Sequence, residues 1–176
     1  MLDKLQTVLS ELPPLLKDPS IWQSLLINRR KPFTYRVWTM LPNGLRVCLH
    51  KFDECSTHEA FDHPHPWPGA FIILYGSYRM RVGYSLDRES YQRPVAEFNL
   101  NKYSSYVITN PLTWHAVIPN EETYTIMINE EPFASDVAHK EVRTTAGKDL
   151  DKMSDDELNI HLSSFRNLLA DYFESR

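Results

Sequence analysis

The sequence predicts a mainly β domain, a jelly-roll β-barrel of about eight strands with an α-helical segment at each end. Three observations carry that prediction. Between positions 33 and 132, apolar residues alternate with polar ones or run in short continuous stretches. Turn-forming clusters such as Pro42-Asn43-Gly44, Gly76-Ser77 and Pro119-Asn120-Glu121-Glu122 separate those stretches. The two ends instead carry apolar residues at three- and four-residue intervals, the repeat of an amphipathic helix.

Taken in order, Leu2, Leu5, Val8, Leu9 and Leu12 form one apolar stripe, and Pro13-Pro14 is expected to end it, because proline lacks the amide hydrogen a helix needs. Asp18-Pro19-Ser20 reads as the start of a second short helix, with Ile21, Trp22, Leu25 and Leu26 inward and Pro32 at its end. Residues 1–32 are therefore expected to be a helical segment packed on the outside of a barrel formed by residues 33–132. Tyr35, Val37 and Thr39 alternate with Arg36, Trp38 and Met40, and Asn43-Gly44 tolerates the positive φ of a tight turn, so a hairpin to Leu45–Phe52 is expected. In its second strand Leu45, Val47 and Leu49 share one face while Arg46, Cys48 and His50 share the other.

The polar stretch Asp53–Asp62 reads as a solvated connection. Ala70–Tyr75 reads as a buried strand and Tyr78–Tyr84 as its hairpin partner, followed by a charged, turn-rich stretch from Leu86 to Pro94. Strands are expected over Val95–Leu100 and Ser105–Ile108, then a third hairpin from Trp114–Ile118 and Thr123–Ile128. Ala134–Asp151 is polar and aperiodic, a connector. Ser154 with Glu157 three residues on is a capping box, and Leu158, Leu162, Phe165, Leu168, Leu169, Tyr172 and Phe173 make a helix of 153–175. At about 30 Å that helix can cover the barrel or meet its copy in a homodimer. His139 and His161 are read as surface residues.

With 176 residues, 42% of them hydrophobic and 24% charged, the chain suits one soluble globular domain, 1–176, with a core large enough to need no covalent staples. A net charge of −4 excludes broad attachment to nucleic-acid backbones, which takes clustered positive charge. The run Arg29-Arg30-Lys31 is read as helix-end residues. Cys48 and Cys55 are too few for a disulfide framework, and no apolar run reaches membrane-spanning length, so a cytoplasmic protein without nucleic-acid or membrane partners is expected.

The stretch with chemical content is Asp62-His63-Pro64-His65-Pro66-Trp67. Two imidazoles one residue apart point to the same side of an extended chain, and the prolines stiffen it, so His63 and His65 can grip one ion. Two ligands rarely hold a divalent metal, and His115, in Leu112-Thr113-Trp114-His115, is the best third.

This pattern resembles the two motifs of the cupin superfamily. His63 and His65 match the paired histidines, Gly76 the closing glycine and His115 the histidine of the second motif. The wording His-x-His-Pro-Trp is also similar to a group of small bacterial cupins. The resemblance implies a cupin-type jelly roll whose ligands come from adjacent strands. Two positions depart from it: the acidic ligand position falls on Gly69, and Leu112 stands where the second motif's glycine is expected.

Three neutral histidines leave a divalent metal its full charge and open positions. Fe(II) is the favoured ion, with Mn(II), Ni(II), Cu(II) and Zn(II) as alternatives. Glycine at position 69 keeps that charge unneutralised and is expected to open a corner beside the ion, an arrangement that resembles the three-histidine iron centres of thiol dioxygenases. The Ser-x-His-x-Tyr segment of cysteine dioxygenases is absent. The expected function is thus a metal-dependent, dioxygenase-like oxidoreductase acting on a small anionic metabolite. A non-catalytic small-molecule-binding cupin and a metal-independent sugar isomerase or epimerase are the alternatives. Trp67 and Trp114 are expected to wall the site, Arg36, Arg79 and Arg81 to hold a substrate carboxylate, and Tyr78 and Tyr106 to donate protons. Binding should weaken below about pH 6.5, where exposed imidazoles take up protons.

Overall fold

Alternating apolar and polar side chains give a strand two faces, and here the strands assemble into two antiparallel sheets. The computed structural model describes residues 1–85, 93–134 and 150–176; the charged stretch over 86–92 and most of the polar connector, with His139, lie outside the described residues. Within them are helix α1 (Leu2–Leu15), strands β1 (Gln23–Ile27), β2 (Thr34–Met40), β3 (Arg46–Phe52), β4 (His63–Pro64), β5 (Gly69–Tyr75), β6 (Tyr78–Tyr84), β7 (Ala96–Leu100), β8 (Ser105–Ile108), β9 (Thr113–Pro119) and β10 (Thr123–Asn129), and helix α2 (Asp155–Glu174). The larger sheet has the order β1-β2-β3-β10-β5-β8 and the smaller β4-β9-β6-β7. Among the described residues the chain is mainly β with two α-helices, and its sheets do not close into one barrel. Among the described residues no helix is long and apolar enough to cross a membrane.

Both helices lie on the outer face of the larger sheet. Leu5, Leu9 and Leu12 of α1 and Leu162, Phe165, Leu169 and Tyr172 of α2 form one core with Val37, Val47, Leu49, Ile72 and Ile126. The capping box at the start of α2 is present: Glu157 N–H donates to Ser154 Oγ at 3.3 Å, and Ser154 N–H to Glu157 Oε2 at 2.8 Å. The stripe of α2 therefore covers this chain's own sheet. The opposite face of that sheet looks toward the smaller one across a cavity.

Four local expectations are corrected. Only Pro19–Ile21 is helical, as one 3₁₀ turn capped by Asp18, and Gln23–Ile27 is a strand paired with β2. The spacing of Ile21, Trp22, Leu25 and Leu26 suits a helix, but at the sheet edge Leu26 packs on the core under the helices while Leu25 and Ile27 line the cavity, so pairing overrides propensity. Arg29-Arg30-Lys31 accordingly follow a strand, and Lys31 pairs with Glu59 at 2.7 Å. Second, Pro13 and Pro14 sit inside α1, which continues to Leu15; each removes only its own amide, and Leu16 N–H still reaches Leu12 O at 3.1 Å.

Third, β5 with β6 and β9 with β10 are not hairpins, because the members of each pair belong to opposite sheets. The period-two pattern reports which face is buried, and it is silent on which strand is the neighbour. Gly76 makes the first of these crossings at φ +76°, where an added Cβ would lie 2.6 Å from Glu122 O.

Fourth, His161 is buried, 5% exposed, between α2 and the sheet, with Phe165 and Tyr124 ring centroids at 5.1 and 6.5 Å. Burial lowers its pKa to about 4, against the pull of a hydrogen bond to the Leu49 backbone. The folded protein holds this imidazole neutral while the unfolded chain protonates it near 6.5. Its contribution is therefore complete above about pH 6.5 and is lost as pH falls toward 4. Urea denaturation should show a smaller loss of stability between pH 7 and 4.5 in His161→Leu than in wild type, by about 2 kcal/mol. Parallel losses in the two proteins would refute this.

Candidate metal centre

Strand β4 is only two residues long because Pro64 and Pro66 deny it amide donors, and it pairs with β9 in a register that places His63 directly opposite His115. His65, two residues on, points to the same side. The three Nε2 atoms converge: His115 Nε2 lies 2.8 Å from that of His65 and 3.0 Å from that of His63. Nitrogens about 2.1 Å from one ion and at right angles to each other stand about 3.0 Å apart, so the spacing fits a divalent metal held on one face. Behind the ligands, His63 Nδ1 faces Phe61 O and His115 Nδ1 faces Met80 Sδ, each at 3.4 Å. The Nδ1–H tautomer of His63 bonds that carbonyl and leaves its Nε2 lone pair free for an ion.

Burial lowers the pKa of all three imidazoles, His63 to about 4 and His65 and His115 well below 6.5, and the latter two are lowered further by neighbouring histidines. The ligands are thus neutral donors in advance of any metal, and proton competition begins at lower pH than the 6.5 expected from sequence. The nearby carboxylate of Asp62 is turned to Arg81, with Oδ1 to Nη2 3.2 Å.

The triad lies in the wall of a cavity of about 1050 Å³ that both sheets line. Arg36, Trp67, Tyr78 and Tyr106 border the same cavity. Tyr78 O–H donates to Tyr106 Oη at 2.8 Å, and burial raises both phenol pKa values, so both stay protonated. Arg36 Nε donates to His50 Nε2 at 2.8 Å, and burial, then the Arg36 charge, keeps His50 neutral.

Three residues expected at the site lie elsewhere. Trp114 is on the other face of β9, 1% exposed, and packs where a Cβ on Gly83 would come within 2.4 Å of its ring. Arg79 and Arg81 project from the opposite face of β6 to Tyr78, Arg79 toward Thr57 and Glu97 and Arg81 toward Asp62. Odd and even positions of one strand cannot share a face, so Tyr78 in the cavity puts both arginines out of it. The corner expected beside Gly69 is also filled: a Cβ there would meet the Phe71 ring at 3.2 Å.

Sequence reasoning missed Arg46, Trp38, Phe71 and His50 as cavity residues, and Arg29, Arg30 and Lys152 around them. The alternation that grouped Arg46, Cys48 and His50 was the available signal. It lacked only the knowledge of which face the helices take.

No protein-family model and no curated protein matches the chain. Among solved structures, the chain is similar to FeII HppE, with 17% identity, a TM-score of 0.50, and coverage of 64% of this chain and 58% of that one. Hydroxypropylphosphonic acid epoxidase from S. wedmorenis is 16% identical, with a TM-score of 0.49 over 64% of this chain and 56% of that one. The plu4264 protein from Photorhabdus luminescens is 13% identical, with a TM-score of 0.46 over 61% of this chain and 81% of that one. The chain spans a little over half the length of the first two, 58% and 56%. The likeness to FeII HppE establishes a shared fold.

Chelator-treated protein incubated with Fe(II) without oxygen should take up about one equivalent of metal, as a set of three convergent ligands requires. His63→Ala, His65→Ala and His115→Ala should each lose stoichiometric uptake while keeping their far-ultraviolet circular dichroism. A His115→Ala variant that loads as wild type does would remove the assignment.

Proposed function

We propose that this chain is a member of the cupin superfamily, which its antiparallel sheets and three-histidine cluster fit, and that it is a metal-dependent oxidoreductase, dioxygenase-like in its chemistry, acting on a small organic anion. We read the two facing sheets as an open form of the family's jelly roll. The observation that supports the reading most is the convergence of three neutral imidazole nitrogens in the wall of a cavity bordered by Arg29, Arg30, Arg36, Arg46 and Lys152 against the carboxylate of Asp62. Neutral ligands and cationic walls favour an anionic guest.

His63, His65 and His115 would hold the metal, with Fe(II) favoured for its fit to nitrogen ligands and open positions. Such an ion supplies Lewis acidity and, as iron, the electrons that reactions with dioxygen draw on. The rest falls to this chain's side chains. Arg36, with one N–H committed to His50, keeps four donors for an anionic group. The Tyr78–Tyr106 pair offers a proton at the same cavity wall, and its raised pKa values suit a donor rather than a base. Phe71 and Trp67 make apolar wall beside His65, with ring centroids at 5.3 and 6.3 Å, and so keep water from that side. The depressed pKa values of His63 and His115 speak against their use as bases in a metal-independent isomerase.

Oxygen consumption by Fe(II)-loaded protein, measured against a panel of organic acids, should depend on both the iron and one class of acid, and should vanish in His115→Ala. In Tyr106→Phe, kcat should fall by about a hundredfold, as loss of a general acid does. Tight binding of an acid with no oxygen uptake under any metal would instead make this a binding protein.

A further inference from the structure

Hydrogen-bond register resolves the cavity face of the larger sheet into rows running across the strands. One row is Gln23, Trp38, Cys48, Met127, Phe71 and Tyr106, each opposite the next. Cys48, Phe71 and Met127 pack together with Trp38 and Tyr106 against them, an apolar belt separate from the core under the helices. The belt ends beside the metal ligands, where the Phe71 ring centroid is 5.3 Å from that of His65 and stacks on Tyr106 at 4.6 Å.

The neighbouring rows carry a guanidinium on each flank. On one side Arg36 stands opposite His50; on the other Arg46 stands opposite Asn129. Each is held through Nε by an uncharged acceptor. Arg36 donates to His50 Nε2 at 2.8 Å. With the Asn129 amide turned so that its oxygen faces Arg46, Nε and Nη2 donate to it at 3.3 and 3.2 Å. The Arg46 guanidinium also lies 4.5 Å over the Trp67 ring and 5.9 Å from that of Trp38. Among the described residues, neither arginine has a carboxylate within ion-pair distance. Two half-buried cations, aimed by neutral side chains across an apolar strip, form a preorganised receptor for an anion with an apolar body.

We propose that the substrate is an amphipathic organic anion, its apolar body on the Trp38–Cys48–Met127–Phe71 belt and its charge held by Arg36 and Arg46. This rests on reading the cavity as the substrate site and adds to that reading the class of compound. Size agrees, since about 1050 Å³ is the volume of a site for a drug-sized ligand, far beyond what a single small amino acid fills. His50 and Asn129 are positioning residues, acting through the arginines.

The test uses the full chain freed of metal by chelation, with octanoate, butanoate and octan-1-ol as probes and tryptophan fluorescence or calorimetry as readout, since Trp38 and Trp67 border the cavity. Octanoate should bind about tenfold or more tighter than butanoate, and about tenfold tighter than octan-1-ol. Arg36→Gln and Arg46→Gln should each weaken octanoate by about tenfold and leave octan-1-ol unchanged, while Arg36→Lys, which keeps the charge, loses less. Equal binding of octanoate and octan-1-ol, equal binding of octanoate and butanoate, or indifference to both arginine substitutions would overturn the proposal. Octanoate selectivity in a protein that takes up no metal would end the oxidoreductase reading and leave this one standing. Metal uptake without that selectivity would do the reverse.

Discussion

Three imidazole nitrogens meet at one point inside this protein, and the convergence is imposed by strand register. His63 faces His115 because β4 pairs with β9, and His65 follows because a strand repeats every second residue. Among the described residues no carboxylate joins the triad: Asp62 is committed to Arg81, and Gly69, where the sequence motif led to the expectation of an acid, is covered by Phe71. A bound cation is the partner that such a donor set lacks, and burial prepares the set for it by keeping the imidazoles unprotonated.

That site can exist because stability is generated on the other side of the larger sheet. Alternate residues of β2, β3 and β10 divide between two tasks. Val37, Val47, Leu49, Ile126 and Ile128 pack under α1 and α2, whereas Arg36, Arg46, Cys48, His50 and Met127 face the cavity. A sheet with only one apolar face covered would have to close its interior tightly to be stable. Two helices on the outside remove that requirement, and the interior is left free to stay open and to carry cationic side chains beside an apolar belt.

The same alternation explains what sequence could and could not convey. The first and last helices, most strand positions, the capping box of Ser154 and Glu157, and the grouping of His63 and His65 with His115 were legible, because each depends on a periodicity or on motif spacing, whereas the helix expected over 19–31 was not. Chain crossings between sheets at Gly76 and after Pro119 were not, since a buried strand reads the same whichever sheet it joins. The burial of His161 was hidden because an isolated histidine in an amphipathic helix carries no mark of the ring contacts it will make. Arg79 and Arg81 were drawn to the site and Arg46 was not, although one fact sorts all three: Arg46 shares a face with His50, while the other two alternate with Tyr78.

Phe71 at the corner where an acid is expected changes the electrostatics of the whole cavity. A carboxylate ligand there would reduce the charge of a bound divalent ion by one and would be an ion-pair partner for the nearby arginines. An aromatic ring does neither. Among the described residues, Arg36 and Arg46 are then left without a carboxylate within ion-pair distance. In a protein whose overall charge is −4, such a local excess of positive charge is not a by-product of composition. It is maintained by His50 and Asn129, which hold guanidinium groups without neutralising them, at a desolvation cost that an anionic guest would recover. Glycine at position 69 and the arginines held by neutral partners therefore act in one direction: both leave charge compensation to whatever anion the cavity would take.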